Sequence, residues 1–113
     1  MKNLIYDLSF ELALNVLNFS LKLKENRHFE ISSQLLRSGT SVGANIREAQ
    51  TPASRKDFIY KMNLALKEAE ETRYWLQLLS KSDLQIDTSE LQMQATSVVK
   101  VLAKIVSSAK ANG

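Results

Sequence analysis

Apolar residues recur along this chain at intervals of three, four and seven positions, the period of a helix with one buried side, and four such stretches stand out. The first covers about residues 5–25. Between Leu8 and Leu23 it partly alternates like a strand. It is longer than the ~3–10 residues of ordinary strands, and Ala and Asn are depleted in strands. As a helix it carries one stripe of Leu8, Leu12, Phe19 and Leu23 and a second of Phe10, Leu14, Leu17 and Leu21. Two stripes exceed what one member of a four-helix core buries, so this helix is either central or turns its second face to another subunit. The second stretch, about 30–50, presents Ile31, Leu35, Val42, Ile46 and Ala49, and Pro52 stops it by disfavouring helical geometry at the residue before it. The third, about 54–81, opens on Ser54-Arg55-Lys56-Asp57, a capping-box spacing, and continues through Met62, Ala65, Ala69, Thr72, Leu76 and Leu79. The fourth, about 88–110, follows the cap-like Asp87-Thr88-Ser89-Glu90 with Leu91, Ala95, Val98, Leu102 and Ile105. Connections this short set neighbouring helices antiparallel. The expected fold is all-α, an antiparallel up-down-up-down four-helix bundle forming one domain over residues 1–113.

The second stretch departs from an ordinary surface helix. Beside its apolar stripe runs a polar one at the same spacing, Gln34, Arg37, Ser41, Asn45 and Glu48. Gly39 and Gly43 lie between them, each costing a helix roughly 1 kcal/mol relative to Ala. Their Gly-x-x-x-Gly spacing suits a close approach by another helix. Reflecting the second helix onto the third about Pro52 sets Arg37 near Glu68, Gln34 near Glu70 to Thr72, Asn45 near Tyr60 and Lys61, and Glu48 near Lys56 and Asp57. A buried charge left unpaired costs several kcal/mol, so a buried Arg37–Glu68 contact is expected, with Ser41, Asn45 or Gln34 taking up the remaining donors. The other reading is a pair of solvated charges.

Composition narrows the function classes. A chain of 113 residues without cysteine has neither a disulfide framework nor a thiolate metal site. Asp7 and Glu11 interrupt any signal-like apolar start, and no apolar run reaches the ~20 residues that span a bilayer. A cytoplasmic location without membrane association is expected. Fifteen Lys and Arg against twelve Asp and Glu give +3, with a pI near 9.3, which permits an anionic partner. Arg47, Arg55 and Lys56 bracket the second connection, Lys100 and Lys104 share a face of the last helix with Lys110 beyond, and no acid follows Glu90. These are the candidate nucleic-acid contacts, against the plainer reading of a solvated helix face.

Enzyme chemistry finds little support. Glu25-Asn26-Arg27-His28 has the Glu-x-x-His spacing of di-iron bundles, but it occurs once and holds the only histidine. No metal, cofactor or catalytic residue is expected, and no glycine-loop signature for phosphate is present. Among Glu68, Glu70 and Glu71, one buried and two solvated acids are expected. Trp75 reads as core or interface packing ahead of a base-stacking platform.

The run Gln34-x-x-Arg37-x-x-x-Ser41-x-x-x-Asn45-x-x-Glu48, followed by Ser54-Arg55-Lys56-Asp57-Phe58 and by Ala65-Leu66-Lys67-Glu68 through Thr72 and Trp75, resembles the four-helix proteins encoded in intervening sequences of bacterial 23S ribosomal RNA genes. That family in turn resembles the accessory variability protein of diversity-generating retroelements. The likeness spans almost the whole chain. It implies an antiparallel four-helix bundle assembled as a ring-like homopentamer, with a basic surface for RNA or DNA. Gln34, Arg37, Ser41, Asn45, Glu48 and Glu68 match the family motif and are expected in structural or assembly roles. A protein–protein adaptor using the spare face of the first helix, with no nucleic-acid role, is the alternative.

Overall fold

The computed structural model of the chain describes residues 3–112. Four helices follow one another: α1 (Leu4–Glu25), α2 (Phe29–Ala49), α3 (Arg55–Lys81) and α4 (Ser89–Ala111). Each packs against its neighbours in sequence, and α4 returns to α1, so the helices stand at the corners of a square without diagonal contact. The up-down-up-down bundle measures 46 × 24 × 20 Å.

Local chemistry explains the boundaries. Asn3 caps α1, its Oδ1 accepting from the Tyr6 amide at 3.2 Å. At the far end the His28 amide donates to the Leu23 carbonyl and the Arg27 amide to the Lys24 carbonyl, each at 2.9 Å. That is a Schellman ending, whose C′ position is usually glycine, yet here Arg27 sits at φ 67°. Ser54 Oγ accepts from the Asp57 amide at 3.0 Å, and Asp57 Oδ2 accepts from the Ala53 amide at 3.0 Å, so α3 starts at the capping pattern. The start of α4 differs from a simple Thr88 cap. Asp87 Oδ1 accepts from the Ser89 amide and hydroxyl. The buried Thr88 hydroxyl instead donates to the Leu76 carbonyl at 2.8 Å, tying the connection to α3.

The core is a column of aliphatic side chains, with Leu12, Val16, Leu35, Val42, Ile46, Leu76, Val98 and Leu102 almost without solvent contact. The first stripe of α1 therefore faces inward, joined by Ile5 and Val16. Its second stripe stays outside: Phe10 is 58% exposed, Leu14 42%, Leu17 37% and Leu21 50%. By length and composition α1 could cross a membrane, but its other side is committed to the bundle core.

The α1–α2 crossing is close at Gly39. A Cβ on Gly39 would lie 2.6 Å from Val16 Cγ1, closer than real Cβ atoms approach, and 3.0 Å from both Val16 Cβ and Cγ2, tighter than nearly all real contacts. At Gly43 a Cβ would meet the Ser9 carbonyl oxygen at 3.5 Å, an ordinary contact. Of the two glycines, the crossing requires only Gly39.

Candidate nucleic-acid interface and the polar seam

Along the α2–α3 edge the polar stripe of α2 meets the acids of α3. Arg37 Nη1 donates to Glu68 Oε2 at 2.9 Å, and Nη2 bonds to Glu71 Oε2. The contact lies at the surface, with side-chain exposures of 48% for Arg37 and 20% for Glu68, which corrects the expectation of a buried pair. An arginine lays its aliphatic stem along the surface and keeps its charged head in water, so pairing across a groove does not require burial. The second nitrogen finds Glu71 rather than Ser41, Asn45 or Gln34. Ser41 Oγ donates to the Arg37 carbonyl at 2.6 Å and Asn45 Nδ2 to the Ser41 carbonyl at 2.9 Å, both on their own helix. Gln34 is exposed and lines a shallow groove with Phe29, Ile31 and Trp75.

Glu71 is the hub that the sequence reading missed. Trp75 Nε1 donates to Glu71 Oε2 at 2.9 Å. Desolvation on its own would raise the Glu71 carboxyl, but the bonds from Trp75 and Arg37 and the attraction of Arg37 outweigh it and hold the group below its ordinary value. The Arg37 guanidinium is correspondingly pushed up, chiefly by its bond to Glu71. Two acids of the cluster thus serve Arg37, and Glu70 pairs with Arg73 at 2.8 Å. The signal was present in the spacing: Glu68 and Glu71 are three apart, and Trp75 is four beyond Glu71. Trp75 itself is half-buried against the core, its edge fixed by that bond.

Further along, Glu48 pairs with Lys61 at 2.6 Å, one turn beyond the expected Lys56 and Asp57. Gln50 and Thr51 still bond back to the Arg47 and Glu48 carbonyls. The helical path therefore outlasts α2, and the reflecting point moves from Pro52 towards Ser54.

These ion pairs decide which cations remain available. Arg37, Lys61 and Arg73 are consumed, while Arg47, Arg55, Lys56, Lys100 and Lys104 make no ion pair among the described residues. Arg55 Nη2 donates to the Ala109 carbonyl at 3.1 Å, joining the start of α3 to the end of α4. Arg55, Lys56 and Lys110 therefore gather at one end of the bundle. Lys104 and Lys100 continue from it along the exposed side of α4, about 9 and 15 Å of helix rise from Lys110. Arg47 stands apart. It borders the α1–α2 groove with Tyr6, Phe10 and Ala44, a space of about 200 Å³.

A family model described as 23S rRNA-intervening sequence protein matches residues 1–105. The chain belongs to that family. Its fold is also that of a crystal structure at 1.70 Å of a protein of unknown function from the S23 ribosomal protein family of Bacteroides thetaiotaomicron VPI-5482. The two share 44% sequence identity with a TM-score of 0.85, over 90% of this chain and 97% of that one. No curated protein matches. Neither the family nor this relative indicates an enzyme class.

In this family member the motif residues divide by position. Arg37, Glu48 and Glu68 bridge α2 to α3, Ser41 and Asn45 bond along α2, and Gln34 faces outward. Glu25 and His28 lie at the α1–α2 connection, and no group of three metal-ligating side chains forms among the described residues.

Proposed function

We propose that this chain is a cytoplasmic, non-enzymatic, oligomeric single-domain bundle that binds RNA or DNA weakly through phosphate contacts. The contacts are Arg55 and Lys56 at one end and Lys100 and Lys104 along α4, with Arg47 at a neighbouring corner. One observation carries the reading. Beyond Glu90 the last helix holds Lys100, Lys104 and Lys110 and no acid, and the ion pairs of the α2–α3 edge leave this side untouched. Symmetry repeats the field, since five copies of a +3 chain sum to +15.

Each phosphate neutralised adds about −0.9 to the slope of log affinity against log salt on duplex DNA. A mobility-shift series on a 30-base-pair duplex and its single strand is expected to show binding at low salt that fades steeply. Replacing Lys100 and Lys104 by Ala should flatten the slope by roughly 2. Absence of any shift at 20 mM salt defeats the reading. The adaptor alternative draws on a different observation, the uncovered apolar stripe of α1.

A further inference from the structure

Gln34 is the motif residue that does nothing for the bundle. Its companions bond along α2 or across to α3, whereas Gln34 is exposed in the groove between those helices, a space of about 590 Å³. Glu30 lines the same groove, is exposed, and enters no ion pair among the described residues. Residues four apart on a helix are neighbours, so a carboxylate and an amide stand side by side with no work inside the chain. Phe29 and Trp75 add aromatic surface. The indole is held in place, its Nε1 donating to Glu71 at 2.9 Å, and so has no free donor of its own. A second hollow shares Phe29, Glu30 and Ile31 with the groove and is bordered by Arg27, another cation outside the ion pairs.

We propose that this groove binds an unpaired guanine base, carried by a free nucleotide or by a single strand. The base lies on the aromatic surface and turns its Watson–Crick edge to Glu30 and Gln34. That edge bears two adjacent donors, N1–H and the N2 amino group, beside the acceptor O6. An ionised carboxylate only accepts and an amide also donates, so Glu30 takes both donors while Gln34 Nε2 donates to O6. The other bases oppose this pair. Adenine and cytosine set a ring-nitrogen acceptor against the carboxylate, and uracil flanks its single N–H with two carbonyl oxygens. Arg27, in the adjoining hollow, is placed for the phosphate.

Size and setting agree. Small-molecule sites occupy ~300–1,000 Å³, and unpaired bases are read by aromatic stacking together with hydrogen bonds to their exposed edges. The site stands apart from the lysine and arginine contacts proposed above, because Arg27 and Phe29 lie at the opposite end of the bundle from Arg55 and Lys56. Glu30 offsets Arg27 in charge, so the base edge carries the selectivity.

The test uses the full chain. It has one tryptophan, whose single indole N–H resonance reports on the groove. Titration with guanosine monophosphate should move that resonance saturably. The adenosine, cytidine and uridine monophosphates should bind at least about tenfold more weakly, within the discrimination of a bidentate base contact. Inosine monophosphate lacks the N2 amino group and should lose most of the advantage. Glu30→Gln should erase the preference, and Gln34→Ala should weaken guanosine monophosphate by roughly tenfold. Both positions are exposed, and an unchanged urea midpoint shows that folding is not what was lost. A short uridine strand with one central guanosine identifies the source. Binding tighter than the mononucleotide assigns a single strand, and binding no tighter assigns a free nucleotide. An equal response to all four nucleotides, a preference that survives Glu30→Gln, or no response to mononucleotide or strand overturns the site. The duplex mobility shift reads the lysines at the other end: its loss defeats the earlier reading and leaves this site standing, and loss of the guanine preference does the converse.

Discussion

The two glycines of α2 have the same neighbours in sequence terms and opposite consequences in space. At Gly43 an added methyl meets the Ser9 carbonyl oxygen at an ordinary 3.5 Å, and neither glycine has a positive φ. Gly43→Ala should therefore recover most of the helix propensity that glycine forfeits and stabilise the protein by about 0.5–1 kcal/mol. At Gly39 the same methyl lies 2.6 Å from Val16 Cγ1 and 3.0 Å from Val16 Cβ. Rotating the valine moves only its methyls, so relieving the contact at Cβ needs a backbone shift of a few tenths of an ångström between the two helices. Overpacking of this kind costs roughly 1–3 kcal/mol. Set against a propensity gain of ~1 kcal/mol, Gly39→Ala should be destabilising by up to about 2 kcal/mol. The two alanine variants should thus shift the urea midpoint in opposite directions when compared at one protein concentration. Removing the obstacle gives a sharper check. In a Val16→Ala background the sign at Gly39 should reverse, with a coupling of about 1–3 kcal/mol in the double-mutant cycle. Equal effects of Gly39→Ala and Gly43→Ala, or additivity with Val16→Ala, would refute the close crossing as the reason for Gly39.

Glu68→Ala should cost less than about 1 kcal/mol in urea denaturation, as exposed ion pairs do, whereas a loss of 3–5 kcal/mol would mark the pair as buried. Arg27→Gly should raise stability by about 0.5–1 kcal/mol, because glycine takes the left-handed C′ geometry freely. An unchanged or lowered melting temperature would count against that strain. Glu71 and Asp87 are both held below their ordinary values in the folded state, Asp87 through the bonds from Ser89. Their contribution is present above the unfolded carboxyl range near pH 4 and is lost as pH falls through the lower folded values. Stability should drop on acidification below about pH 4.5, and Glu71→Gln should make that drop shallower. A Glu71→Gln curve parallel to wild type would deny the group its role.

Much of the architecture was legible because it is written locally. Helix periods, the Ser54 cap and the Pro52 stop each depend on a few adjacent residues, and the observed helices begin and end within about one residue of expectation. Reflection across the hairpin found that Arg37 meets Glu68, since it compares heights along two neighbouring helices. It could not give depth: both buried and exposed partners lie at the same height. Nor could it see that Gln50 and Thr51 prolong the turn of α2, which moved the partner of Glu48 to Lys61. The bond of Glu71 to Trp75 is written in the spacing of its own helix, but its pairing with Arg37 depends on a second helix and was missed. The two-stripe pattern of α1 was read correctly as one face too many for the bundle, but only coordinates separate the inward from the outward stripe.

The crowding of Arg55, Lys56 and Lys110 at one extremity makes each molecule a rod that is positive at a single tip. Copies standing side by side in the same sense would gather these tips into one charged rim whose field sums, so a nucleic acid would be drawn to one end of the assembly ahead of its flanks.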